Sequence, residues 1–325
     1  MITAYVSDGG ALAPRILTEG EPWPDNVVWI DLFQPTCEEE KAVEEALGLE
    51  IPTREDMAEI EASSRLYQEG RALFMTAAVL AQAESDTPTS DPVTFMLVDR
   101  TLVTLRYIDP QPFRLYASQC QKPPSKVPSG EAVLAGLLDA VVDRIADVLE
   151  MAQRDLDVLA KEIFAREHPD ETRRDIDYED VLRRIGLAQG ITNRVRESLL
   201  TISRLATFLN RPGVHTTDKT LAKAFKTLVR DVQALNDHVA FLAGNINFLL
   251  DATLGMINIE QTGIIKIFSV AAVVFLPPTL IASIYGMNFN IMPELDWTFG
   301  YPFAVLLMIV SAILPYLYFK RKGWL

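Results

Sequence analysis

The chain has 325 residues, 49% hydrophobic and 23% charged, enough for a sizeable soluble part together with apolar spans. Its formal net charge is -14, with 44 acidic against 30 basic residues. That balance disfavours nucleic acid as a partner, because phosphates need Lys and Arg, and it suits either a cationic partner or plain solubility.

The N-terminus, from Met1 to Gly20, lacks the basic start and long apolar core of a signal peptide, so membrane insertion is expected from elsewhere in the chain. Residues 1–128 read as a small α/β domain. Strand character is expected for residues 2–8 and 26–33, which are rich in β-branched and aromatic residues. Thr36 with Glu39 three residues later is a capping-box pair, which predicts a helix running to about Leu47, before Gly48. Pro52 and Thr53 open a second helix. Residues 71–82 read as a buried strand, and residues 92–108 as a hairpin turning at Asp99-Arg100. A short helix follows around residues 112–120, and a Pro-rich stretch from Lys122 marks the domain boundary. Cys37 and Cys120, the two cysteines, both fall in this part and read as free thiols.

Residues 129–216 read as a helical hairpin. Leu134, Leu138, Val141, Ile145, Val148, Ala152, Leu156, Leu159 and Ile163 alternate steps of four and three, which is a heptad seam. A second seam runs through Leu182, Ile185, Ile191, Val195, Leu199, Ile202 and Leu205. Residues 217–285 read as one stalk helix, with a seam from Leu221 to Leu249 and no Pro before Pro277. At 1.5 Å per residue such a helix is on the order of 100 Å long. Pro277-Pro278 should kink it.

The last part of this helix, about residues 264–285, is apolar with Lys266 as its one charge, and residues 301–319 are apolar with no charge. Each is about the twenty residues a helix needs to cross a hydrocarbon core of roughly 30 Å. Residues 286–300 link them and carry Glu294 and Asp296, whereas Lys320, Arg321 and Lys322 follow the second run in the tail, residues 320–325. Basic flanks stay in the cytoplasm. Both termini are therefore expected on the cytoplasmic side and the link outside.

Tyr285-Gly286-Met287-Asn288-Phe289, then Met292-Pro293-Glu294-Leu295, then a second span ending in residues 318–325, resembles the CorA family of divalent-cation channels that import magnesium. The likeness runs from Ile259 to the last residue, and Gly-Met-Asn after the first span is the family signature. A related zinc-transporting branch usually has valine where Met287 stands. The resemblance implies an α+β protein of the cytoplasmic (inner) membrane: a funnel-shaped homopentamer whose cytoplasmic α/β domain leads into a long coiled-coil stalk that lines the pore. It also implies import of Mg2+, with Co2+ and Ni2+, and closure by internal Mg2+.

Chemistry at the residues agrees with that expectation. Mg2+ is small, hard and slow to lose water, so a filter can grip the hydrated ion through oxygen acceptors. Gly286 permits close backbone approach, Asn288 offers an amide oxygen, and Gly286, Met287 and Asn288 together are the candidate selectivity filter. Gly and Asn also favour helix C-terminal ends, so a capping role stands beside that one. Thr262, Ile265, Phe268, Ala272, Leu276, Thr279 and Ser283 are spaced by three and four and form one candidate pore-lining stripe. Its hydroxyls either touch hydrated ions or bond the carbonyl a turn earlier. Many relatives carry Asn where Thr262 stands. Glu294 and Asp296 either concentrate cations or form a solvated loop. Lys266, Lys320, Arg321 and Lys322 form a basic collar, read as topology and lipid contact or as a barrier to cation leak.

Residues 38–61 hold ten acidic residues against Lys41 and Arg54. With Asp139, Asp143, Asp231 and others on the helices, they suit regulatory Mg2+ bridging like charges, and Asp231 on the stalk is the candidate ligand. No phosphate-binding loop, HExxH or nucleophile elbow is present, so an enzyme is not expected. The alternatives are the same fold carrying Zn2+, with or without proton coupling, or a membrane-tethered coiled-coil scaffold.

Overall fold

A computed structural model describes every residue except 9, 19–20, 60, 83–87, 123–128, 165–175, 212–218, 289–291, 293–296 and 324–325. The chain divides into two units, Met1–Leu250 and Asp251–Leu325.

The first unit is built on one seven-stranded sheet. Its strands are β1 (Ile2–Asp8), β2 (Ala11–Leu17), β3 (Val27–Phe33), β4 (Leu66–Glu69), β5 (Ala72–Ala81), β6 (Thr89–Val98) and β7 (Thr101–Arg106). Their order across the sheet is β2-β1-β3-β7-β6-β5-β4. Only β3 and β7 pair in parallel; the other neighbours are antiparallel. The Asp99-Arg100 hairpin is present, with Val98 opposite Thr101 and a left-handed Asp99. β2 and β4 lie at the two edges and were not anticipated. β2 carries Pro14, which an edge strand tolerates because one side of its backbone needs no partner, and β4 is only 4 residues long.

Among the described residues, α1 (Cys37–Leu47), α2 (Arg54–Ala58), α3 (Ala62–Arg65), α4 (Gln111–Cys120), α5 (Gly130–Phe164) and α6 (Tyr178–Leu209) complete the first unit, and α7 (Lys219–Tyr285) begins in it and continues into the second. The capping box of α1 is made as its sequence implies: Thr36 Oγ1 accepts from the Glu39 N–H, and Glu39 Oε2 from the Thr36 N–H. Gly48 then ends the helix in the left-handed region, at φ 63°.

The sheet has two buried faces because its strands alternate. Ile30, Leu32, Phe74, Met96, Val103 and Leu105 pack with Val43 of α1 and Met57 of α2. On the other face Phe95 meets Phe113 of α4 at 6.2 Å, and Trp29 meets Tyr116 at 6.4 Å. Between β3 and β7 lies a buried polar network. Trp29 Nε1 donates to Thr104 Oγ1, Thr104 Oγ1 donates to Asp31 Oδ1 at 2.7 Å, and Arg106 NH2 donates to Asp31 Oδ2 at 2.9 Å.

All nine residues of the α5 seam are buried. In the α6 seam Ile185, Val195, Leu199, Ile202 and Leu205 are buried, while Leu182 and Ile191 are half-exposed. Helix α6 also covers an open edge. β4 pairs with β5 only from Ala72 to Met75, and beyond that point no strand among the described residues pairs with β5 on this side. Ser198 Oγ donates to the Ala78 carbonyl at 2.6 Å and Thr201 Oγ1 accepts from the Ala78 N–H at 3.0 Å. Buried backbone groups must find such partners.

Helix α7 is continuous for 67 residues and passes Pro277 and Pro278 without a break. In the second unit it is followed by α8 (Gly300–Arg321), which contains Pro315.

Candidate functional site

Helices α7 and α8 are long and apolar enough to cross a membrane, and 6% of each apolar window is buried. That low burial separates them from the core helix of a soluble protein, whose apolar residues would be covered. Among the described residues of the second unit, the buried apolar side chains are Val270 and Ala304. The first apolar run has Lys266 near its start and the second ends in Lys320, Arg321 and Lys322. Such flanks face the cytoplasm, which puts both termini on that side of a cytoplasmic membrane.

One side of α7 is less exposed. Val274, Pro277, Ile281 and Tyr285 are half-buried in line with Val270. Thr262, Ile265, Phe268, Ala272, Leu276, Thr279 and Ser283 are all exposed. At ~100° per residue the two sets lie about half a turn apart round the helix. Ile265, Phe268 and Leu276 leave 63%, 72% and 65% of their surface uncovered. Large apolar side chains in a row at such exposure need a lipid or protein neighbour, or line a dewetted passage.

The hydroxyls on this face are partly engaged. Thr279 Oγ1 donates to the Phe275 carbonyl at 2.8 Å, and Thr262 Oγ1 to the Asn258 carbonyl at 2.7 Å. Each hydroxyl spends its single donor on the backbone and keeps its lone pairs. An acceptor directed outward is the polarity that meets the outward-facing hydrogens of a hydrated cation. Asn258 is a residue the sequence reading passed over. It is exposed and lies four residues before Thr262 on the same face, so it adds an amide one turn further in. The four-residue step from Asn258 to Thr262 is itself legible in the sequence.

At the outer end, the Gly286 N–H donates to the Ala282 carbonyl at 2.9 Å and the Met287 N–H to the Ile284 carbonyl at 3.2 Å. Gly286 is not in the left-handed region that a glycine C-cap uses. Gly286, Met287 and Asn288 are all exposed. Glu294 and Asp296 lie outside the described residues. Trp297 lies 5.8 Å from Phe303, an aromatic pair at the start of α8 of the kind found at membrane interfaces.

Lys266, Lys320, Arg321 and Lys322 are exposed, and the Lys322 ammonium lies 5.4 Å from the centre of the Tyr318 ring. In the first unit, the Asp139 carboxyl on α5 is raised above its ordinary pKa, first by desolvation and then by the charges of Asp143 and Asp231. Asp231 is thus close enough to α5 for like charges to be felt. Among the described residues, no three His, Cys, Asp or Glu side chains converge as a metal cage within one chain.

These features define a membrane protein with two C-terminal spans, a long helix leading into the first of them, and an α/β domain before it. A family model described as a CorA-like Mg2+ transporter protein matches residues 24–321, and the chain belongs to that family. It is 36% identical over 329 residues to the magnesium transport protein CorA of Escherichia coli strain K12, covering 100% of both chains. The same protein of Pectobacterium atrosepticum is also 36% identical, over 325 residues and 100% of both chains. The fold matches the complete structure of the CorA magnesium transporter from Methanocaldococcus jannaschii with a TM-score of 0.76, at 21% identity, covering 100% of this chain and 99% of that one.

Proposed function

We propose that this protein is a homopentameric channel that admits Mg2+ to the cytoplasm down its electrochemical gradient, and passes Co2+ and Ni2+ as well. The single observation that carries the reading is the uncovered stripe on α7, which ends at the exposed Gly286-Met287-Asn288 and lies opposite the half-buried face. Five copies around an axis cover such a stripe by placing it on a shared passage. Gly286 and Asn288 then form an oxygen ring at the outer mouth, Thr279 and Ser283 supply acceptors below it, and Leu276, Phe268 and Ile265 form apolar constrictions. Asn258 and Thr262 stand at the inner mouth. Each positive charge entering a negative interior gains roughly 2.3 kcal/mol per 100 mV, so no further energy source is required. Glu294 and Asp296 on the external loop raise the local cation concentration.

Regulation follows from the carboxylates. Asp143 and Asp231 both act on Asp139 as like charges, and Mg2+ relieves that repulsion. Among the described residues a single chain supplies no full cage, but Mg2+ keeps several of its waters and needs only one or two carboxylates. Mg2+ bound there at high internal concentration favours the closed state, and its loss loosens the assembly.

The test is flux into proteoliposomes loaded with a Mg2+ dye, comparing wild type with Asn288→Ala at low and at millimolar internal Mg2+. Uptake by wild type that Asn288→Ala abolishes, and that internal Mg2+ suppresses, supports filter and feedback together. Zn2+ uptake without Mg2+ uptake would replace the ion assignment. No flux of any cation under an applied potential would replace the channel by a tethered scaffold.

A further inference from the structure

The basic residues at the inner ends of the two spans share one depth. Lys266 lies nineteen residues before the end of α7 at Tyr285, or ~28 Å along the helix axis. Lys320 lies twenty residues after the start of α8 at Gly300, or ~30 Å. Consecutive spans cross in opposite directions, so both distances are measured from the outer side. They equal the hydrocarbon thickness of roughly 30 Å. All four cations therefore stand at the inner boundary of the bilayer.

No acidic residue occurs between Ile264 and Asn288 or between Trp297 and Leu325. For Lys266 the nearest acidic residue in sequence is Glu260, about 9 Å further toward the cytoplasm. Lys266 also points away from the candidate pore: at ~100° per residue it lies about a third of a turn from the centre of the stripe. A barrier in the passage would need it on the stripe. Beside these cations the spans expose Ile267, Leu314 and Leu317, with 66%, 63% and 50% of their surface uncovered. Tyr318, under the Lys322 ammonium, is a ring type that favours this level.

We propose that Lys266, Lys320, Arg321 and Lys322 form a binding site for the phosphate of anionic phospholipids of the inner leaflet. Arg321 offers planar paired donors to phosphate oxygens, the lysines add point charge, and the acyl chains lie along the neighbouring apolar side chains. A soluble phosphate shares the first contacts but lacks the second. The proposal rests on the two-span topology and not on which ion is carried.

The test uses the full-length protein in zwitterionic detergent, with dansyl-labelled phosphatidylglycerol and phosphatidylcholine as probes. Wild type should prefer phosphatidylglycerol, and added salt should weaken the preference. Lys266→Gln should lower it roughly fivefold, and Lys320→Gln/Arg321→Gln/Lys322→Gln should abolish it. Lys266→Arg should retain it, which separates charge from packing. An unchanged preference in both neutralised variants, or its loss in Lys266→Arg, overturns the proposal. Displacement of the labelled lipid by millimolar inorganic phosphate as effectively as by unlabelled phosphatidylglycerol overturns the lipid assignment in favour of a free anion.

Discussion

Removing the Asp31 carboxylate should cost this protein more stability than any surface ion pair, because of where Asp31 sits. Its side chain is 7% exposed and that of Arg106, its partner, 8%. Arg106 Nε and NH2 both donate to Asp31, at 3.1 and 2.9 Å, and the guanidinium stacks 4.3 Å from the Phe33 ring centre. Thr104 donates to the same carboxylate, and Trp29 donates to Thr104. Asp31→Ala therefore strands a buried cation and takes the acceptor from Thr104. Breaking a buried pair on one side costs about 3–5 kcal/mol. Arg106 NH1 keeps its bonds to the Ile108 carbonyl and Asp109, so the lower half of that range is expected. For a unit of this size that is a fall in thermal midpoint of roughly 6–16 °C. The assay is thermal unfolding of the detergent-solubilised protein, followed by fluorescence of its tryptophans. Asp31→Leu/Arg106→Met, which removes both charges, should recover much of the loss, because the penalty lies in the unpaired charge. A midpoint for Asp31→Ala within about 2 °C of wild type, or a double variant that is worse than the single by the full cost of a second deletion, would refute the reasoning.

Three further outcomes are expected. Gly130→Ala puts a Cβ 2.3 Å from the Leu102 backbone nitrogen, at the point where α5 starts against the β6–β7 turn. Backbone cannot rotate aside, so a loss of about 3 kcal/mol or more is expected in the same unfolding assay. Asp139 gives a pH signature: its folded pKa lies above its unfolded one, so its contribution to stability is present at low pH and is lost as pH rises through the folded value. Asp139→Asn should raise the midpoint at neutral pH, remove that part of the pH dependence and weaken the stabilisation by Mg2+; a pH profile superimposable on wild type would sink the carboxylate argument. Thr279→Val keeps shape and apolar volume but removes the outward acceptor, and should lower Mg2+ flux roughly 2–10-fold, the worth of one net hydrogen bond. Equal flux would leave Thr279 with only its bond to Phe275.

What the sequence determined by itself was local and periodic. Two apolar runs of membrane length, the four-three seams of α5 and α7, and the Thr36-Glu39 cap all follow from spacing within a few turns, where chain geometry fixes which residues meet. The stripe on α7 was legible for the same reason, since residues three and four apart share a face wherever the helix lies. The edge strands β2 and β4 were not, because an edge strand carries neither a long apolar run nor a strict alternation, and its pairing is made by the neighbour it finds. Only the tertiary structure joined Asp31 to Arg106, 75 residues apart, and Ala78 to Ser198, 120 apart. It also showed that the Thr279 and Thr262 hydroxyls spend their donors on the backbone. Such contacts depend on how sheet and helices come together in space, and no local period encodes a partner that far along the chain.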